Sequence, residues 1–136
     1  MTYVMVDYHG HTQELLDADD AIEWFDEQSG AILGTGRSGQ TIWFGPSHAS
    51  PEMRVDIDID VDRAALTWLA DGGFAIQPST GEPITVLTSA DGRQDVINGD
   101  RACLDVVTTR DAVREYVSTG ARPSNLTWTT GQGAPQ

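Results

Sequence analysis

The chain has no lysine, a single cysteine (Cys103), and no apolar run approaching the length of a membrane span. One cysteine forms no internal bridge, so the fold is expected in a reducing compartment and without a disulfide framework. A membrane helix needs roughly 18 consecutive apolar residues, which excludes that class. The opening residues, MTYVMVDYHGH, have no basic segment, long apolar stretch or small-residue cleavage site of a secretory leader, so a cytoplasmic location is expected. Positive charge is scarce as well. Eight arginines stand against 21 acids, a net charge of 8 − 21 = −13, and residues 1–62 carry 13 of those acids with only two arginines. Such a field repels phosphate backbones and anionic membranes, so neither nucleic acid nor membrane is an expected partner, whereas a basic protein is.

What is present is enough for one core. At 136 residues with 39% hydrophobic content, a single domain buries roughly two thirds of its unfolded surface. Thr2 to Tyr8 is β-branched and aromatic and reads as a strand ended by His9, Gly10 and His11. Asp17 to Gln28 places Ala18, Ala21, Ile22 and Phe25 at helical spacing behind a run of aspartates, with Gly30 after it as a cap. Ala31 to Thr35 and Gln40 to Phe44 read as strands, followed by the loop PSHASPE.

From Met53 the alternation is strict. Val55, Ile57, Ile59 and Val61 fall on one face, and Asp56, Asp58, Asp60 and Asp62 on the other, which predicts one strand with a core face and a wet face. Ala64 to Leu69 reads as the next strand, and Ile84 to Thr88 with Gln94 to Ile97 as a hairpin. Ala102 to Val107 is expected as a strand, then a helix from Thr108, with Asp111 completing a capping box, to about Thr119 and a Gly120 cap. Asn125 to Thr129 is a short last strand. The sum is an α+β domain, mostly antiparallel β-sheet with two short helices, over residues 1–130, with 131–136 a disordered tail.

Several patterns invite chemistry. Gly34, Gly36 and Gly39 spell a dinucleotide fingerprint, but QTIWFGP follows instead of the helix that would hold a pyrophosphate. The aspartate row is read three ways: a solvated strand face, a protein-recognition face, or ligands for a hard cation. It lacks the glycine and the terminal glutamate of a calcium loop. Four aspartates in a strand run against strand propensity, and that cost points to a role. His9 and His11, with His48 as a third nitrogen, form a candidate zinc set. Cys103 alternates with apolar neighbours as a buried small hydrophobe would. Trp24, Trp43, Trp68 and Trp128 are core candidates. Trp43, beside Phe44 and the loop holding His48, is the one best placed for an interface.

The stretch VVTTRDAVREYVSTGARPSNLTW resembles the closing segment of the Imm1 family of bacterial immunity proteins. The marks are Tyr116, Thr119, Gly120, Arg122, Pro123 and Trp128, and the upstream order of strand, short helix and hairpins is similar over most of the chain. The resemblance implies a small protein that binds and neutralises a cognate secreted toxin domain of a polymorphic toxin system, commonly a nucleic-acid deaminase or nuclease. It carries over Gly120, Pro123 and Trp128 as scaffold positions and no catalytic residue. With it, the expectation is a non-enzymatic inhibitor without metal or cofactor. Asp56, Asp58, Asp60 and Asp62 would supply the field for a basic toxin, and Trp43, Phe44 and His48 the anchors. A homodimer through a sheet edge is compatible with the pattern. The alternatives are a small acidic binding or regulatory module unrelated to toxins, and a metal-binding sensor.

Overall fold

A computed structural model describes residues 3–30, 39–77 and 81–129. The chain opens with β1 (Tyr3–Val6), β2 (Thr12–Leu15) and α1 (Ala18–Gly30), followed by β3 (Gly39–Gly45), β4 (Met53–Asp58) and β5 (Arg63–Trp68). The remainder is β6 (Gly73–Ile76), β7 (Ile84–Leu87), β8 (Gln94–Ile97), α2 (Val106–Thr119) and β9 (Thr127–Trp128). The sheet runs β2-β1-β3-β4-β5-β6-β9, with β7 beside β3 and β8 beside β7. Every pairing is antiparallel except β3 with β7. This is the expected α+β architecture.

Period-two alternation decides which sheet face is covered. Met5, Ile42, Phe44, Met53, Val55, Ile57, Ala64 and Leu66 form one buried cluster with Ala21, Ile22 and Phe25 of α1 and with Ala112, Val113, Tyr116 and Val117 of α2. Both helices therefore lie on one face of the sheet. They run antiparallel: Arg110 of α2 reaches Asp26 of α1 at 2.8 Å, while Arg114, further along α2, reaches Asp19, earlier in α1, at 3.1 Å. On the opposite face a smaller cluster joins Ala65 to Ile84, Val86, Ile97 and Ala102. Gln40 of β3 ends α1: its side-chain amide donates to the Gln28 carbonyl at 2.6 Å and accepts from the Gln28 side chain at 2.7 Å. It thus satisfies a carbonyl the last helical turn leaves open.

Two expected strands are corrected. The run from Met53 to Asp62 is not one strand. β4 stops at Asp58, residues 59–61 make a single 3-10 turn, and β5 returns from Arg63 in register with Asp58. The turn lies inside the alternating run because aspartate prefers turns to strands. Asp58 Oδ1 accepts from Asp60 N at 3.2 Å, and Asp62 takes the left-handed conformation with φ of +56°, which aspartate tolerates better than most residues.

Nor is Ala102 to Val107 a strand: Leu104 makes one isolated bridge to Ala64, and α2 has begun by Val106. Its cap is Asp105, not Thr108, and Thr108 N donates to Asp105 Oδ1 at 2.8 Å. β2 and β6 go beyond the expected strands, since TQEL and GFAI show too little alternation to be read. The expected strand at Ala31 to Thr35, with Gly34 and Gly36, and the expected tail at 131–136 lie outside the described residues. Gly39 opens a strand rather than a helix, and a Cβ there would stand 2.2 Å from the Ile57 carbonyl oxygen, so close packing accounts for this glycine.

Asp105→Ala is expected to cost about 1 kcal/mol at neutral pH, the usual worth of an N-cap. The side chain and backbone N–H of Thr108 hold the Asp105 carboxyl below its ordinary value. A lowered folded pKa means that this stability is complete above the unfolded value of about 3.9 and is lost as the pH falls through the folded value. Urea titrations of wild type and variant should differ at pH 7 and converge as the pH falls through the lowered folded value.

Candidate functional site

The aspartate row divides. Asp56 is fully buried and Asp58 is 5% exposed, whereas Asp60 and Asp62 face solvent at the tip of the β4–β5 hairpin. The expectation of one wet face is thereby corrected for the first two. Asp56 sits across from Thr41 and Ala65 on the sheet face that the β7–β8 hairpin partly covers. Its Oδ1 accepts from the Thr41 hydroxyl at 2.7 Å, and Arg54 Nε spans both oxygens at 3.0 and 3.1 Å. Arg54 in turn reaches Asp95 of β8 at 3.2 Å, tying the hairpin to the sheet. Burial pushes the Asp56 carboxyl up, against the pull of Arg54 and Thr41. Burial pushes Asp58 up as well. These two carboxylates are internal groups of the fold.

The aromatic anchors also separate. Phe44 is fully buried, its ring centroid 6.3 Å from that of Phe25, so it cannot meet a partner. Trp43 points to the sheet face away from the helices, half-buried, with Val6 and Arg54 as its cross-strand neighbours. His48 is exposed in the loop between β3 and β4. It does not join His9 and His11; among the described residues their companion is Asp7. The structure thus leaves Trp43, His48, Asp60 and Asp62 accessible, but it does not gather them with Asp56, Asp58 and Phe44 into one surface.

A denser acidic surface lies on α1. Its 13 residues, ADDAIEWFDEQSG, hold five carboxylates and no basic residue. A shallow hollow is lined by Asp20, Glu23, Trp24, Asp26 and Glu27, and Trp24, half-buried, also packs against the core. A second hollow, at the start of α1, is lined by Leu16, Asp17, Ala18, Asp19, Val117 and Ser118. Leu16 there is 69% exposed, the most exposed large hydrophobic residue among those described. Arg110 and Arg114 pair with Asp26 and Asp19, but among the described residues Glu23 and Glu27 have no ion-pair partner. Sequence reading passes over this face because acids in a first turn are explained by the helix dipole. The signal that marks it is the continuation of acids to Glu27, near the negative end of the dipole.

The C-terminal marks form one unit. Gly120 ends α2 with φ of +73°, where a Cβ would stand 2.2 Å from the Tyr3 hydroxyl oxygen. Pro123 is buried, its carbonyl accepts the Trp128 indole N–H at 2.8 Å, and Arg122 lies 5.3 Å over the Trp128 ring. Tyr116 donates its hydroxyl to Glu52 Oε1 at 2.5 Å. Residues 22–130 match the family described as immunity protein Imm1. The chain belongs to the Imm1 family. No curated protein matches it. Membership makes this Imm1 protein an immunity protein directed against a toxin. Among the described residues, no helix is long and apolar enough to cross a membrane.

The two classes of aspartate should respond differently to truncation. Asp56→Ala leaves Arg54 without its best partner in a largely buried place and is expected to cost about 3 kcal/mol, whereas Asp60→Ala at the hairpin tip should stay within about 0.5 kcal/mol. Urea unfolding at neutral pH measures both. Equal small losses would mean that the Arg54–Asp56–Thr41 cluster contributes nothing.

Proposed function

We propose that this Imm1 protein neutralises a basic, nucleic-acid-acting toxin domain by stoichiometric binding in the producer's cytoplasm, without chemistry of its own. The observation that carries this reading is the α1 surface: five carboxylates without a basic residue, with the exposed Leu16 and half-buried Trp24 set among them. A toxin that acts on nucleic acid needs cationic groups to hold phosphates, and an acidic inhibitor competes for that surface while being steered towards it. Asp60 and Asp62 extend the same field from the hairpin tip, and Trp43 and His48 are secondary contacts on the sheet side. Steering sets the association rate. The lifetime of the complex comes from apolar contact made by Leu16 and Trp24.

Co-expression with the toxin domain encoded by the adjacent upstream gene tests the function: survival and a one-to-one complex are expected, and no rescue of a toxin that kills alone would overturn it. The interface is tested separately by stopped-flow association. Glu23→Gln with Glu27→Gln should slow association about tenfold at low salt, and the difference should vanish near 1 M salt, where screening shortens to about 3 Å. Leu16→Ala should leave the association rate unchanged and speed dissociation. If Asp60→Asn with Asp62→Asn slows association more than the α1 pair does, the hairpin tip is the primary contact instead.

A further inference from the structure

The β1–β2 turn places three metal-ligating side chains together, independently of the α1 surface. Gly10, at φ of +87°, closes the turn, in which Asp7 N donates to the His11 carbonyl at 3.0 Å and Gly10 N to the Asp7 carbonyl at 2.9 Å. Asp7 is 8% exposed, and its Oδ1 accepts the backbone N–H groups of His9 and His11, each at 2.9 Å. Those two donors hold the carboxylate still and leave Oδ2 for His11, whose Nδ1 is 3.4 Å away. One ligand atom from each of Asp7, His9 and His11 lies within 4.8 Å of the others.

Two ligands of a tetrahedral ion with bonds of about 2.0–2.1 Å stand about 3.3 Å apart. The Asp7–His11 separation already has that value. The His9 ring, exposed and lying 4.1 Å from the Tyr8 ring and 5.7 Å from the His11 ring between centroids, completes the set by a side-chain rotation away from Tyr8. Two imidazoles and one carboxylate suit zinc and its neighbours, not calcium or magnesium, which take oxygen ligands at higher coordination numbers. A carboxylate fixed in advance by backbone donors is the supporting shell that metal sites require. We propose that Asp7, His9 and His11 form a binding site for a divalent transition ion of the zinc type. Three protein ligands leave its fourth position open to water or to a donor from a bound partner.

The test is calorimetric titration of Zn²⁺ into chelator-treated protein, with ¹H NMR of the histidine rings. One saturable equivalent is expected, with the His9 and His11 ring signals shifted and His48 unmoved, and neither Ca²⁺ nor Mg²⁺ competing. His11→Ala, an exposed change that should leave the fold intact, is expected to weaken binding by at least the tenfold that loss of even an outer partner brings. Asp7→Asn should do likewise. No saturable binding would overturn the site. So would binding that His9→Ala and His11→Ala leave unchanged, since the ion would then sit among the acids elsewhere.

Discussion

The ring of Tyr116 sits where α2, β1 and β5 meet, and the position of both helices on the sheet depends on it. It is fully buried, its centroid lies 5.1 Å from that of Tyr3 and 5.8 Å from that of Trp68, and its hydroxyl reaches Glu52 just before β4. A buried phenol without a partner would cost about as much as a lost hydrogen bond, so Glu52 fixes the depth at which α2 can sit. Gly120 follows from the same contact. One turn after Tyr116 the chain must end the helix and leave room for the Tyr3 hydroxyl, and a residue without Cβ does both. The indole of Trp128, held by the Pro123 carbonyl, then brings β9 to β6 and finishes the sheet.

With α2 in place, α1 packs on the sheet and on α2 through Ala21, Ile22 and Phe25, with Arg110 and Arg114 pairing to Asp26 and Asp19 at the surface, and its outer face is left acidic. The charge of the chain has two origins that composition alone cannot separate. Much of it is architectural: Asp7, Asp17, Asp20, Asp58, Asp62, Asp71, Asp91 and Asp105 each accept a backbone N–H in a turn or at a helix start. A short carboxylate suits this work, which explains why aspartate outnumbers glutamate in the sequence. Among the described residues, the carboxylates of Glu23 and Glu27 accept no such bond. On physical grounds they are the better candidates for recognition, although the aspartate row is the more conspicuous pattern.

The row shows where sequence reading reaches and where it stops. The helix stripes of Ala21, Ile22 and Phe25 and of Ala112, Val113, Tyr116 and Val117 are periodic, so both helices were legible, as were β3, β7 and β8 between their turn residues. The alternation from Met53 to Asp62 was legible as a pattern and misleading as a strand. A period of two continues through a tight turn when the turn residues happen to be Ile, Asp, Val and Asp. Whether the second face is wet is decided by the β7–β8 hairpin, which returns from about thirty residues further on, and no local window holds that information. Phe44 was misplaced for a related reason: beside Trp43 in sequence, it points to the opposite face of β3. Asp7 was missed as a companion of His9 and His11 because a strand ending at Tyr8 hides the turn that folds His11 back onto it.

Magnitudes separate what acids and apolar groups can each do at such a surface. An exposed ion pair is worth about 0–1 kcal/mol and is screened by salt, so the carboxylates of α1 cannot by themselves hold a toxin for long. In the proposed complex they would bias the encounter, which is where a single-signed helix acts most strongly. Burying one exposed leucine contributes about 1.5–3 kcal/mol and is insensitive to salt. Leu16 stands exposed at the junction of β2 and α1, flanked by Asp17 and Asp19 and beside Val117, the position that the proposed interface asks of an apolar anchor among acids. An immunity protein must both reach its toxin before the toxin acts and stay bound afterwards. The α1 acids with Trp24 and the adjoining Leu16 bring the two properties together, whereas the hairpin tip offers only Val61, 54% exposed, between Asp60 and Asp62 on a four-residue turn.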